Sequence, residues 1–119
     1  MNLTIISPAK NEAKNLPELI KRTFALAKKH FLNLEFILVD DHSSDATNSV
    51  ISKLKKTYPS LRLIKSEGHG PGAALITGFR HARFPTVVTL DSDLSHDPEV
   101  IPLFLQELKR TKADIVIGS

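Results

Sequence analysis

Along this chain, short apolar runs alternate with stretches whose apolar residues recur every three or four positions. Leu3 to Ser7 is the first run, closed by Pro8, and it reads as a buried strand. Leu16, Ile20, Phe24, Ala27 and Phe31 follow at helical spacing, with Asn15 placed to cap that helix and Pro17 in its first turn. Leu34 to Val39 predicts a second strand in which Glu35 is the one polar residue. Thr47, Val50, Ile51, Leu54 and Tyr58 predict a second helix that Pro59 ends. Leu61 to Lys65 predicts a third strand, and Leu75, Gly78, Phe79 and Ala82 the inward face of a third helix. Thr86 to Leu90 predicts the fourth strand. Asp97 and Pro98 then open a helix with Val100, Ile101, Phe104, Leu105 and Leu108 inward. Pro102 removes a hydrogen bond there and predicts a distorted first turn. Ile115 to Ile117 predicts a fifth strand.

Strands alternating with helices imply βαβ units and a parallel sheet with right-handed crossovers. The strands are almost uninterrupted apolar runs, as a sheet covered on both faces requires. The fold class is therefore α/β, a three-layer βαβ arrangement. No linker, repeat or low-complexity stretch divides residues 1–119, so one domain is expected.

Composition narrows the function classes. The net charge of +3 resides largely in helical runs such as Lys28-Lys29 and Lys53, Lys55-Lys56, which read as solvated helix faces. Aromatic residues are not interleaved with them, so no nucleic-acid partner is expected. The chain has no cysteine, which excludes disulfides and thiolate chemistry and suits a reducing compartment. No apolar run approaches the roughly 18 residues of a membrane span, and Met1 is not followed by a signal peptide. The expected location is cytoplasmic.

Polar clusters follow four of the strands. They are Asn11 and Glu12; Asp40, Asp41, His42 and Ser43; Glu67, Gly68, His69 and Gly70; and Asp91 with Asp93. A parallel sheet gathers all four along its carboxyl edge, where open α/β sheets bind ligands. Asp91 and Asp93 stand one residue apart at a strand end, where a turn lets both reach a hard cation that also holds phosphate oxygens. The plainer alternative is a solvated loop with Asp97 capping the next helix. Asp40 and Asp41 repel one another, which points to a use for at least one of them. His42, His69 and His96 match no metal-ligand spacing and read as loop residues.

Two other classes compete. Gly68-His69-Gly70-Pro71-Gly72-Ala73 fits G-x-G-x-x-A between a strand and a helix, the context of a dinucleotide fingerprint. That fingerprint normally opens the first βα unit, however, and it leaves Asp93 and the Asp40-Asp41 pair without a task. A phospho-acceptor receiver domain would want paired acids after the first strand, where this chain has Asn11-Glu12.

The motifs resemble inverting glycosyltransferases of the GT-A fold, family 2, and among them the polyprenyl (dolichyl) phosphate mannosyltransferases. Pro8-Ala9-Lys10-Asn11-Glu12 is similar to P-x-x-N-E, and Val39-Asp40-Asp41-His42-Ser43-Ser44-Asp45-Ala46-Thr47 to V-D-D-x-S-x-D-x-T. Gly70, Gly72, Ala74 and Gly78 match G-x-G-x-A-x-x-x-G, and Leu90 to Glu99 resembles D-A-D-L-S-H-x-P-E with its preceding residue. The resemblance implies a Rossmann-like donor-binding half for a nucleotide sugar, GDP-mannose in this branch. It places Pro8, Lys10 and Glu12 along the nucleotide pocket and Val39 and Asp41 at base and ribose. Asp91, Ser92 and Asp93 would hold the diphosphate, the two carboxylates through Mg²⁺ or Mn²⁺. Lys10 stands where the family often has an aromatic residue, His42 where it often has glycine, and no basic residue precedes the glycines. The resemblance also implies that an acceptor half for a polyprenyl phosphate follows Ile115 to Ser119, supplied by further chain or a partner, at the cytoplasmic face of a membrane. It assigns no catalytic base, and sugar transfer by these residues alone is not expected; the non-enzyme alternative is a catalytically inert nucleotide-binding remnant.

Overall fold

The computed structural model describes residues 1–92, 98–103, 105–106 and 115–117. Five parallel strands form one sheet: β1 (Asn2–Ala9), β2 (Asn33–Asp40), β3 (Leu61–Lys65), β4 (Val87–Thr89) and β5 (Ile115–Ile117). Their order is β3-β2-β1-β4-β5. The chain winds outward from β1 to β3, then returns across the sheet to lay β4 on the other side of β1. Helices α1 (Leu16–Lys29), α2 (Thr47–Thr57) and α3 (Gly70–His81) make the crossovers.

Alternation along each strand sends side chains to two cores. Leu3, Ile5, Leu34, Phe36, Leu38, Leu61, Val88 and Leu90 pack with Leu16, Leu19, Ile20 and Ile51 of α1 and α2, and with Ile101 and Leu105. Phe24 is stacked between Phe36 and Tyr58, at ring-centroid distances of 6.3 and 4.7 Å. Ile6, Ile37, Val39 and Val87 pack with Ala74 of α3 on the opposite face. Among the described residues no helix is long and apolar enough to cross a membrane.

Several boundaries differ from the sequence expectation. β1 runs through Pro8 to Ala9 instead of stopping before it. The pairing with β4 covers only Thr4 to Ile6, and at Pro8 the carbonyl on that side takes the Ser92 hydroxyl at 2.8 Å, so the missing proline N–H costs little. Asn15 makes no side-chain cap on α1. Its amide donates to Glu12 Oε2 at 2.8 Å, while the Glu12 carbonyl takes the N–H groups of Asn15 and Leu16. Phe31 lies beyond α1 and is 89% exposed. Leu32 N–H bonds Ala27 O and Phe31 N–H bonds Lys28 O, a Schellman closure that puts Phe31 in the left-handed position at φ +56° usually given to glycine. After Pro98 the first turn is 3₁₀ (Pro98–Val100), the distortion expected near Pro102. Phe104 and Leu108 lie outside the described residues.

Helix α3 approaches the sheet through Ala74, Thr77 and Gly78, and Phe79 turns outward, 37% exposed. The reason is a lack of room. A Cβ on Gly78 would stand 2.5 Å from Ile6 Cγ2 and 3.2 Å from Ile6 Cδ1. Gly78→Ala is therefore expected to destabilise the fold by about 1–3 kcal/mol, although alanine is the better helix former by about 1 kcal/mol. A urea midpoint that stays put or rises would refute this close approach.

Candidate functional site

Strand order reverses between β1 and β4, and in open parallel sheets ligands bind outside the carboxyl ends at such a switch point. A cleft of about 250 Å³ lies there, lined by Pro8, Ala9, Lys10 and Glu12 after β1, Asp41 after β2, Pro71 on α3, and Asp91 and Ser92 after β4. The sequence-predicted residues Pro8, Lys10, Glu12, Asp41, Asp91 and Ser92 thus share one cleft. Val39 does not line it: its side chain is fully buried in the core beneath α3. Asp93, like His96 and Asp97, lies outside the described residues.

Each wall is held by specific bonds. Ser92 is buried, and its hydroxyl bonds Pro8 O at 2.8 Å and shares a hydrogen bond with Ser7 Oγ at 2.6 Å. That hydroxyl anchors the loop after β4 against β1 and leaves Asp91, which is exposed, at the mouth. Asp41 is buried, and its N–H donates to Ala9 O at 2.8 Å. Both its carboxylate oxygens accept from Gly70 N–H, at 3.2 and 3.1 Å, where α3 begins. Gly70 has φ +88°, a conformation that glycine adopts without strain.

The loops after β1 and β2 are tied together. Asn11 Oδ1 accepts from Ser44 N at 2.7 Å and Asp45 N at 3.2 Å. Asn11 N–H donates to Ser43 Oγ at 3.0 Å and Glu12 N–H to Thr47 Oγ1 at 3.2 Å. Asp45 accepts from Ala13 N at 3.3 Å, Thr47 N at 2.9 Å and the Thr47 hydroxyl. That hydroxyl is the largest influence, and with the two N–H groups it outweighs desolvation and holds the Asp45 carboxyl below its ordinary value. Asn11 is thus a strut between loops at φ +55°, a conformation asparagine tolerates better than most residues. Neither Asp40 nor Asp41 caps α2: Asp40 accepts from Ser43 N at 3.2 Å, and Asp41 serves α3.

His42 and His69, read from the sequence as unrelated loop residues, face one another. Their rings stack at 4.0 Å between centroids and 18° between planes. Nothing in their spacing could have shown this, because they come from different crossovers.

Among the described residues the cleft carries the carboxylates of Glu12, Asp41 and Asp91 and one ammonium, Lys10. An acidic, oxygen-lined cleft attracts hard divalent cations and repels bare anions. Asp41 at the start of α3 also opposes the dinucleotide alternative, since a pyrophosphate bound there would meet a carboxylate.

Comparison with known proteins gives a consistent picture. The family model of glycosyl transferase family 2 matches residues 4–119. A dolichol-phosphate mannosyltransferase of Pyrococcus furiosus is 37% identical over 119 residues, all of this chain and 33% of that protein. An undecaprenyl-phosphate 4-deoxy-4-formamido-L-arabinose transferase of Pseudomonas fluorescens is 34% identical over 110 residues, 91% of this chain and 32% of that protein. The chain spans about a third of the length of these relatives. A mannosyltransferase from Pyrobaculum calidifontis, solved in complex with GDP-Man and Mn²⁺, superposes with a TM-score of 0.73 at 30% identity over 89% of this chain and 32% of that one. Mannosyl-3-phosphoglycerate synthase from Rubrobacter xylanophilus shares the fold at a TM-score of 0.76 and 20% identity, over 88% of this chain and 35% of that one.

Proposed function

The chain belongs to glycosyl transferase family 2, and from that premise we propose that its cleft is the donor site of a metal-dependent, inverting glycosyltransferase. The donor is a nucleotide sugar, GDP-mannose in this reading, and the acceptor a polyprenyl or dolichyl phosphate at the cytoplasmic face of a membrane. The observation that carries it is the acidic cleft at the switch point of the β3-β2-β1-β4-β5 sheet. The relatives support it: one transfers to dolichol phosphate by name, one to undecaprenyl phosphate, and one was solved with GDP-Man and Mn²⁺.

The oxygen donors lining the cleft fit Mg²⁺ or Mn²⁺, and Asp91 with Asp93 would hold the ion. When bound, the ion neutralises charge that develops on the leaving nucleoside diphosphate. The chain's own residues set the stage. Ser92 pins the loop that carries Asp91, and Pro8 and Lys10 form the floor and rim beside the nucleotide. Asp41, held by Gly70 N–H, is a fixed acceptor for ribose or base donors. The Asn11 strut keeps Glu12 on the same cleft. None of the residues named here is assigned acceptor binding or the activation of the acceptor.

GDP with Mn²⁺ is expected to raise the melting temperature of the chain, and NAD without metal is not. A ligand at about 100 times its dissociation constant adds roughly 2.7 kcal/mol, a shift of several degrees for a domain of this size. Stabilisation by NAD alone would return the glycine loop after β3 to the dinucleotide class.

A further inference from the structure

Asp41, His42 and His69 form a second donor set at the edge of the cleft. One ligand atom from each lies within 4.8 Å of the others. His42 Nε2 is 2.9 Å from Gly68 O. A carbonyl only accepts, so Nε2 carries a proton, and in the neutral ring the lone pair is on Nδ1. Asp41 is held from behind by Gly70 N–H on both oxygens. A carbonyl on the outer imidazole nitrogen and N–H donors on the carboxylate are the supports that orient metal ligands.

We propose that Asp41, His42 and His69 bind a divalent first-row transition ion, Zn²⁺ in the first place. Two imidazole nitrogens and one carboxylate oxygen suit Zn²⁺, Co²⁺ or Ni²⁺, whereas Mg²⁺ prefers oxygen donors alone. Metal–ligand bonds of about 2.0–2.1 Å bring neighbouring donor atoms to about 3.3 Å from one another. A shift of the exposed His69 imidazole, with a slight tilt of His42 about its Gly68 contact, closes that gap around the fixed Asp41. With both histidines open to solvent, water completes the coordination. The site differs from the Asp91 side of the cleft in chemistry: nitrogen-rich here, oxygen-only there. Asp41 is common to both sites, so an ion held here takes the carboxylate that the donor reading gives to ribose or base.

Titration with Co²⁺, followed by visible absorption, tests the site. The chain is expected to take up one equivalent with a d–d band that Zn²⁺ removes and hundredfold excess Mg²⁺ leaves unchanged. His69→Gln is expected to weaken binding at least tenfold. His42→Gly should do the same, and it suits the backbone because His42 has φ +58°. His30→Gln, at the exposed end of α1, should bind as the parent does. Absence of saturable uptake overturns the proposal. So does displacement by Mg²⁺, which assigns the ion to the oxygen-lined cleft, or unweakened binding by His69→Gln.

Discussion

Removing Mn²⁺ with EDTA is expected to lower the affinity of this chain for GDP by on the order of 10²- to 10³-fold, while guanosine binds equally well with and without the metal. The expectation follows from the charge in the cleft. Among the described residues, Glu12, Asp41 and Asp91 line it against a single ammonium, Lys10, and the resemblance adds Asp93. At about 4 Å and an effective dielectric near 20, each like-charge pair between carboxylate and phosphate costs on the order of 4 kcal/mol. Lys10 offsets part of this, which keeps the expected loss below the full sum. A nucleoside brings no phosphate, so its contacts to base and ribose do not need the cation.

Titration calorimetry of GDP and guanosine, each in Mn²⁺ and in EDTA, gives the four affinities. Asp91→Asn and Asp93→Asn should each shrink the difference between metal and EDTA for GDP, since each removes one ligand. Asp97→Asn should keep it, because the sequence places Asp97 at the cap of the next helix. Equal GDP affinity in EDTA, or an intact metal effect in both Asp91→Asn and Asp93→Asn, would remove the basis for a metal-held diphosphate.

The parts of this arrangement legible in the sequence are those that periodicity encodes. Uninterrupted apolar runs marked the strands, and the alternation with helices marked a parallel sheet whose carboxyl edge collects polar residues. Pro8, Lys10, Glu12, Asp41, Asp91 and Ser92 line one cleft for that topological reason. What stayed hidden depends on partners far away along the chain. Asn11 has the composition of a ligand-binding residue, yet its side chain is spent on Ser44 and Asp45. Asp41 was legible as an acid needing a use, but not as the acceptor for Gly70 N–H, which requires knowing that α3 starts beside β2. Phe31 continued the helical stripe in sequence, and only the Schellman closure of α1 turned it outward. Phe79 shares the helical spacing of Leu75, Gly78 and Ala82, which predicts it inward, yet it is exposed. The close approach of Gly78 to Ile6 leaves no room for a side chain at that point of α3.

Glu35 is the sharpest case, and replacing it is expected to have the largest effect on stability. The sequence marks it only as the single polar residue of an apolar strand. In the fold it is 4% exposed on the α3 side of the sheet, and three hydrogen-bond donors converge on it. Thr4 Oγ1 and Arg83 N–H reach Oε1 at 2.8 Å each. Arg62 Nη1 reaches Oε2 at 2.8 Å and also donates to His81 O at 2.7 Å, while Arg83 Nε stands 3.7 Å from Oε2. The carboxylate thereby ties β1, β2 and β3 to the end of α3 and to the turn leading into β4. Burial works against its charge and is the largest single influence on it. The Arg83 N–H, the Thr4 hydroxyl and the Arg62 guanidinium together outweigh burial and hold the carboxyl below its ordinary 4.5. Glu35→Ala leaves Arg62 and two further donors without their acceptor, and breaking one side of a buried pair costs about 3–5 kcal/mol. Glu35→Gln keeps an acceptor and should cost less. The sign of the pH effect follows from the lowered value: the contribution is complete above the ordinary carboxylate range and is lost as pH falls through the folded-state value. Urea denaturation at neutral pH and in acid checks both points. The parent should lose stability on acidification more steeply than Glu35→Gln, and Glu35→Ala should show a lower midpoint with an unchanged slope. A Glu35→Ala midpoint close to that of the parent would mean that hydrophobic packing alone sets the register of this sheet.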